Sequence, residues 1–203
     1  MSSVATRTRN RRGEGSRLRD DIVSAAVEIL ETTGNPEAIT LRAVARQVGI
    51  AAPSIYGHFA DREAIIEAVV IEAFTRLTRV LKEAIAASAD PVESLRLSCD
   101  AYLRFGAEHP YVYQLMFTCG VILPTKTPYS LEAGLETFGV LVGAIENAKA
   151  VGRSAPGDAF ADATAVWVGL HGMNTLMSNL PQFPWPERDA LLDTLVTRLA
   201  RLN

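Results

Sequence analysis

Cysteine is scarce in this chain, and no apolar run is long enough to cross a membrane. The 203 residues include two cysteines, Cys99 and Cys119, which form no Cys-x-x-Cys pair. This excludes a disulfide-bonded scaffold and favours a reducing compartment. The N-terminus lacks the apolar segment of a signal peptide, and no later run reaches the ~18 apolar residues that a membrane span needs. We therefore predict a cytoplasmic protein with no membrane partner.

Strand signals are absent as well. The sequence has no alternating run of β-branched residues, and its prolines and glycines fall where helices begin and end. With 48% apolar residues the chain can bury a core. We predict an all-α protein of about nine helices, including a long one over residues 61–88. Further helix starts are predicted at "DPVE" from Asp90, "TPYS" from Thr127, "SAPGD" near Ser154 and "WPERD" near Pro186.

The chain also lacks the usual signatures of catalytic and metal sites. It has no metal-ligand spacing, glycine-rich phosphate loop, nucleophile elbow or paired-carboxylate pattern. Its obvious reagents, Cys99, Cys119, His109 and His171, are scattered along the sequence. An enzyme or a metal-binding helical protein built from these four residues remains the rival interpretation. The favoured one has no catalytic residues, no cofactor and no metal.

Charge is present but unevenly placed. Residues 1–19 carry six arginines and one acid, Glu14, a net charge of +5, which leaves −8 for the remainder. A basic arm on an acidic body is typical of proteins whose N-terminus reaches phosphates. We predict a flexible basic arm over residues 1–15. A solvated tail without a partner would have the same composition.

Residues 16–62 have the pattern of a helix-turn-helix unit. An amphipathic helix over residues 16–33 precedes a short helix capped by Thr40 and ended by Gly49, and "IAAPSIYGHF" can form a further short helix. The small residues Ala51, Ala52, Pro53 and Ser54 would let that helix approach a groove floor closely. Tyr56 and His58, two apart near its end, can each donate to a phosphate oxygen.

These segments resemble the tetracycline-repressor-like (TetR) transcriptional regulators over residues 16–66. The resemblance rests on Thr-x-Arg at residues 40–42, on "VARQVGIA", and on "SIYGHFADREAI" from Ser54. It implies an all-α homodimer whose N-terminal helices bind a double-stranded DNA operator, while a larger C-terminal bundle binds a small effector. A module that keeps the fold without binding DNA is the remaining alternative.

The resemblance also implies roles for individual residues. Thr40, Tyr56, His58 and Arg62 would hold phosphates, and Arg42, Ala52, Pro53 and Ser54 would lie nearest the bases. Gly57 departs from the family by replacing a larger side chain. Arg62 departs by replacing a lysine, which keeps the charge and changes its geometry.

The C-terminal part resembles a subfamily named for its Trp-His-Gly residues, through "HPYVYQLMF" at His109 and "WVGLHGMNTL" at Trp167. Trp167 and His171 are four apart and share a helix face. A core explains such a pair as well as a pocket does. The aromatic and soft residues, however, exceed what a helix seam needs, so we predict an apolar effector pocket. Its predicted residues are Tyr102, Phe105, His109, Tyr113, Met116, Phe117, Trp167 and His171.

We assign residues 16–62 to DNA binding and residues 63–203 to effector binding and dimerisation. Homodimerisation is predicted through the last two helices, at residues 156–180 and 186–202. Leu191, Leu195, Leu199 and Leu202 form an apolar stripe there, although a core-facing helix would have the same pattern. The favoured function is a ligand-responsive regulator, most simply a repressor, of a near-palindromic operator.

Overall fold

The computed structural model describes the backbone of residues 15–122 and 128–203, and the side chains of residues 17–118 and 130–203. Within these ranges the protein is all-α, as predicted, with two short 3₁₀ helices at Pro36–Ala38 and Ala52–Gly57 and no strand. The predicted basic arm up to residue 14 and the predicted helix start at Thr127 lie outside the described residues. The α-helices are α1 (Gly15–Thr33), α2 (Leu41–Val48), α3 (Arg62–Ala86), α4 (Pro91–Glu108), α5 (Pro110–Ile122), α6 (Pro128–Ala150), α7 (Ala159–Asn179) and α8 (Arg188–Leu199).

Local caps set most of these helix boundaries. The Asp61 carboxylate accepts the backbone N–H of Ala64 at 2.8 Å at the start of α3. Asp90 accepts the N–H groups of Val92 and Glu93 at 3.0 and 2.8 Å, with Pro91 in the first turn of α4. These are the helix starts that the sequence predicts, and each side chain satisfies N–H groups that the helix itself leaves unpaired.

Three elements add to the sequence-based expectation or differ from it. The short helix predicted in "IAAPSIYGHF" is present as the 3₁₀ helix Ala52–Gly57, and the 3₁₀ turn Pro36–Ala38 is not among the predicted elements. The helix expected near Ser154 begins five residues later at Ala159, because Asp158 supplies the N-cap. Ser154 instead forms an isolated antiparallel bridge with Leu202 near the end of the chain.

The described residues divide into two compact units. The first contains the chain up to Ala73 and the described part of Tyr111–Ser130; the second contains Phe74–Pro110 and Leu131–Asn203. Helix α3 therefore contributes to both, and this division does not coincide with the predicted functional boundary at residue 62. In the first unit α1 packs against α2 over a fully buried core. That core includes Ile22, Ala26, Leu30, Val44, Ile55 and Ile65.

In the second unit α4 packs against both α7 and α8. Lys149 Nζ donates to Asp162 Oδ2 at 2.7 Å and to the Ala155 carbonyl at 2.6 Å, which ties the end of α6 to the first turn of α7. The core of this unit includes Leu95, Cys99, Ile145, Val166, Leu170, Leu192 and Val196. Among the helices of the described ranges, none has the length and apolarity needed to cross a membrane.

Candidate functional site

Helix α2 is held at both ends by the residues that the sequence marks as caps. Thr40 Oγ1 accepts a hydrogen bond from the Ala43 N–H at 3.1 Å. Its own O–H can still donate a hydrogen bond to a phosphate oxygen. Gly49 has φ 77°, a left-handed conformation that favours glycine, and its N–H donates to the Ala45 carbonyl at 3.0 Å. Thr40 and Arg42 are both exposed at the N-terminal end of α2, the positive end of its dipole.

The 3₁₀ helix Ala52–Gly57 presents small residues to solvent. Ala51, Pro53 and Ser54 are exposed and Ala52 is half-buried, while Ile55 is fully buried behind them. No side chain caps this helix at Ala51. The surface made by residues 51–54 is therefore shallow, with the backbone close to anything that docks on it.

Tyr56 and His58 lie outside the core, as the sequence predicts. Tyr56 is 61% exposed although its neighbour Ile55 is 0% exposed and Phe59 only 4%. His58 is half-exposed. The buried Phe59 ring is covered by the Arg19 guanidinium, whose carbon lies 5.0 Å from the ring centroid. Ile55 and Phe59, four residues apart, thus turn inward and leave the Tyr56 hydroxyl between them available as a hydrogen-bond donor.

The Arg62 side chain is hydrogen-bonded within the protein. Its Nε donates to the Ile39 carbonyl at 2.8 Å and one Nη to the Pro36 carbonyl at 2.8 Å, and that nitrogen lies 3.1 Å from a Glu37 carboxylate oxygen. The side chain is 22% exposed. These contacts join the start of α3 to the connection before α2. They make Arg62 a residue that positions the helix-turn-helix more readily than one that reaches a phosphate.

Five of the predicted effector residues lie in the second unit and contact one another in two groups. The Trp167 indole N–H donates to the Tyr102 hydroxyl at 3.2 Å, and the Trp167 and His171 rings are 6.3 Å apart. The Phe105 and His109 rings meet edge to face at 5.3 Å. Helices α4 and α7 therefore contact each other through Tyr102 and Trp167. We call these five residues the aromatic cluster.

The other three predicted effector residues lie on α5 in the first unit. Tyr113 and Met116 are each 6% exposed, and Phe117 packs against Tyr113 with ring centroids 4.9 Å apart. The structure therefore distributes the predicted effector residues over two units. Within the first unit, the start of α5 packs on α1: the Tyr111 ring lies over Gly34, and the Val112 N–H donates to a Glu31 carboxylate oxygen at 3.4 Å.

Three residues at or near the contact between α4 and α7 were not identified from the sequence, namely Phe138, Asn174 and Gly106. Phe138 on α6 packs against Trp167 with ring centroids 5.9 Å apart. On α7, Asn174 is 7% exposed, and its amide nitrogen lies against Gly106 of α4. An asparagine within the largely apolar stretch of residues 165–177 was the available signal for the second contact. The sequence offered no comparable signal for Phe138.

The rival enzyme interpretation uses four residues, of which the structure describes the side chains of Cys99, His109 and His171. Burial raises the pKa of the Cys99 thiol to about 12, so this cysteine is not a nucleophile near neutral pH. The Cys119 side chain lies outside the described residues. Burial lowers the pKa of His171, which keeps its imidazole neutral. Among the described side chains, no three of His, Cys, Asp and Glu lie close enough to hold a metal ion.

A capped helix followed by a shallow, exposed segment with a protruding tyrosine has the arrangement of a helix-turn-helix unit. Residues 22–69 match the family model described as bacterial regulatory proteins, tetR family. Residues 95–199, about half of the chain, match the model described as tetracyclin repressor-like, C-terminal domain. The chain therefore belongs to the tetR family of bacterial regulatory proteins. Neither description names the Trp-His-Gly subfamily, so that assignment stays a prediction.

Curated relatives align with part of the chain. The nucleoid occlusion factor SlmA of Aliivibrio fischeri is 28% identical over 102 residues, which are 48% of this chain and 50% of that protein. The SlmA of Vibrio atlanticus is 29% identical over 105 residues, 50% of this chain and 52% of that protein. The chain thus spans about half the length of the curated relatives that it matches.

Solved structures align over nearly the whole chain. A Rhodococcus sp. RHA1 protein of unknown function is 26% identical with a TM-score of 0.80, covering 91% of this chain and 94% of that one. The TetR family regulator PfmR of Thermus thermophilus is 21% identical with a TM-score of 0.66, covering 90% and 98%. At 21% identity, the similarity to PfmR shows a common fold alone.

Proposed function

We propose that this regulator is a repressor that binds a near-palindromic operator as a homodimer and is released by a small, largely apolar effector. The observation that carries the DNA-binding half is the exposure of Tyr56 between two buried residues, beside a shallow small-residue surface. A regulator of this kind acts on the chromosome, so we place it in the cytoplasm. Two-fold symmetry would set the operator half-sites about one helical turn, or a multiple of it, apart.

The exposed residues divide into two roles. Thr40, Tyr56 and His58 contact phosphates, which fix the register and carry little sequence information. Arg42 and the segment 51–54 lie nearest the bases, where an arginine can pair with guanine. Arg62 supports this surface through its bonds to the Pro36 and Ile39 carbonyls. The arm over residues 1–15 would add phosphate contacts of its own.

Substitutions separate the two roles. Tyr56→Phe and His58→Ala should weaken binding to the DNA upstream of the protein's own coding sequence and to random DNA by the same factor. Arg42→Ala should change which bases are preferred, with about 1–3 kcal/mol of discrimination lost at one position. The measurement is fluorescence anisotropy on both DNAs. Equal loss on both for Arg42→Ala would make Arg42 a phosphate contact, and unchanged affinity for Tyr56→Phe would contradict the proposed interface.

The dimer is proposed to form through the outer faces of α7 and α8. Val168 is 61% and Leu176 47% exposed on α7, a large apolar exposure for residues of a folded domain. The predicted stripe Leu191, Leu195 and Leu199 on α8 is half-exposed, while the core positions of that helix are Leu192 and Val196. Two copies of the chain related by a two-fold axis can bury this apolar surface of α7 and α8 against each other.

Val168→Glu tests this face more cleanly than Leu195→Glu, because Leu195 also packs on Gly169 within the protomer. Sedimentation should show Val168→Glu as a folded monomer. Val151→Glu is the matched control, since Val151 is 57% exposed beyond the end of α6. A Val168→Glu dimer as stable as the control would exclude this face.

The effector is proposed to bind at the aromatic cluster and to lower DNA affinity through α3, which runs without interruption from one unit into the other. Such coupling is typically about 1–3 kcal/mol and is reciprocal, so operator DNA must weaken effector binding by the same factor. Trp167 fluorescence reports binding once Trp185 is replaced by phenylalanine. A compound that changes this fluorescence but leaves DNA affinity unchanged would contradict the coupling.

A further inference from the structure

Asn174 is the exception among the buried polar side chains of the second unit. It is 7% exposed, and its Nδ2 has no hydrogen-bond partner among the described residues. The comparable buried groups are all bonded: Thr78 to Thr137 at 2.7 Å, for example, and Ser98 to the Leu95 carbonyl at 2.8 Å. A buried donor without an acceptor is costly, so it calls for an explanation.

The unpaired amide lies in the same helix contact as the aromatic cluster. A Cβ at Gly106 would overlap Asn174 Nδ2, so α4 approaches α7 closely only because residue 106 is glycine. Gly106 is one turn beyond Tyr102 on α4, and Asn174 is two turns beyond Trp167 on α7, with His171 on the same face between them. The Trp167 to Tyr102 hydrogen bond joins the same two helices one to two turns away.

The surroundings define what kind of acceptor would suit this donor. The aromatic cluster consists of aromatic and imidazole rings and includes no lysine or arginine. Because burial lowers the pKa of His171, its imidazole offers no positive charge near neutral pH. A carboxylate bound here would be desolvated without a counter-charge, whereas a neutral carbonyl needs only a donor.

We propose that Asn174 is the residue that recognises the effector, its amide donating to the carbonyl oxygen of an otherwise apolar ketone, ester or amide. This rests on the proposed function, in which the effector binds at the aromatic cluster, and it adds the chemical class of the molecule. Tyr102 and Trp167 supply flat apolar surface, and Asn174 selects the polar atom. In the free protein the Asn174 amide donor has no acceptor, and the carbonyl oxygen of the effector supplies one.

The first test needs no ligand. Asn174→Leu keeps the shape of the side chain and removes the unpaired donor, so in protein freed of co-purified compounds it should raise the thermal midpoint by about 2–4 °C. Thr137→Val is the matched control, because Thr137 is a buried hydroxyl that is bonded to Thr78, and it should lower the midpoint. A lower midpoint for Asn174→Leu would mean that its amide already has a partner, and would overturn the proposal.

The second test compares carbonyl compounds with analogues in which a methylene group replaces the carbonyl group. Acetophenone, benzophenone and methyl nonyl ketone, each with its methylene analogue, are titrated against Trp167 fluorescence in the Trp185→Phe background. At least one ketone should bind about tenfold more tightly than its analogue, and Asn174→Leu should reduce that ratio to about one. Benzoate and decanoate should bind more weakly than the ketones. Absence of binding by all three ketones, a ratio that survives Asn174→Leu, or a preference for the carboxylates would each refute the proposal.

A DNA-binding readout separates this inference from the proposed function. A ketone that binds through Asn174 without releasing DNA supports the recognition role and refutes the coupling to DNA. Intact operator binding together with no carbonyl preference refutes the role of Asn174 and leaves the DNA-binding half of the proposed function in place.

Discussion

Gly57 offers a test in which a substitution should improve DNA binding. It ends the 3₁₀ helix between Tyr56 and His58, the two proposed phosphate contacts. A Cβ built on Gly57 would meet nothing within 4 Å, and its backbone is not among the left-handed glycines Gly34, Gly49, Gly152 and Gly157. A side chain can therefore be added at residue 57 without strain, and it would enter the same surface as Tyr56.

The expected magnitude follows from counterion release. Gly57→Lys adds one cation, and one further phosphate neutralised steepens the slope of log affinity against log salt by about 0.9. At about 0.1 M salt this corresponds to an increase of up to about eightfold in affinity, which is the upper limit because any conformational entropy that the lysine loses on ordering subtracts from it. Gly57→Ala should leave the slope unchanged, and Gly57→Glu should weaken binding.

The assay is fluorescence anisotropy on operator and random DNA from about 50 to 300 mM salt. The thermal midpoint of each variant, measured in parallel, should not fall, because a helical glycine is being replaced without a steric conflict. If Gly57→Lys has the same salt slope as Gly57→Ala, the segment does not lie along the phosphates. The proposed contacts of Tyr56 and His58 would then be wrong as well.

Three further predictions concern the supports of the fold. Lys149→Met should lower the stability measured by urea denaturation by at most about 3–5 kcal/mol, because it removes the 2.7 Å partner of Asp162, 12% exposed, and leaves only the Arg201 guanidinium at 3.8 Å. Arg62→Met should lower stability by about 2–3 kcal/mol without changing the salt slope of DNA binding; a changed slope with intact stability would restore its phosphate role. In a Cys119→Ser variant, Cys99 should resist alkylation at pH 8 until the protein unfolds, since its pKa of about 12 leaves roughly one thiolate in ten thousand.

Local chemistry in the sequence was enough to predict the helix-turn-helix frame. Thr40, Gly49, Asp61 and Asp90 act on backbone groups within three or four residues of themselves, so their roles follow from spacing alone. The exposure of Tyr56 also followed from spacing, since the neighbouring apolar residues had to turn inward.

Contacts between distant residues could not be predicted in this way. Arg62 was expected to hold a phosphate, yet its nearest acceptors are carbonyls 23 and 26 residues earlier in the chain. Ser154 was expected near a helix start, and it pairs instead with Leu202. Both outcomes depend on which segments meet in the folded chain.

The sequence by itself determined that this protein is all-α, with caps at Thr40, Gly49, Asp61 and Asp90 and an exposed Tyr56 in the segment 51–58, because caps, turns and amphipathic spacing act over one or two helical turns. Only the tertiary structure decided that α3 and the predicted effector residues are divided between two compact units, and that Asn174 lies unpaired against Gly106. The physical reason is the separation along the chain of the residues that interact. Whether a buried amide finds an acceptor depends on the side chain that a second helix brings opposite it, and residues 106 and 174 are neighbours only after the chain has packed.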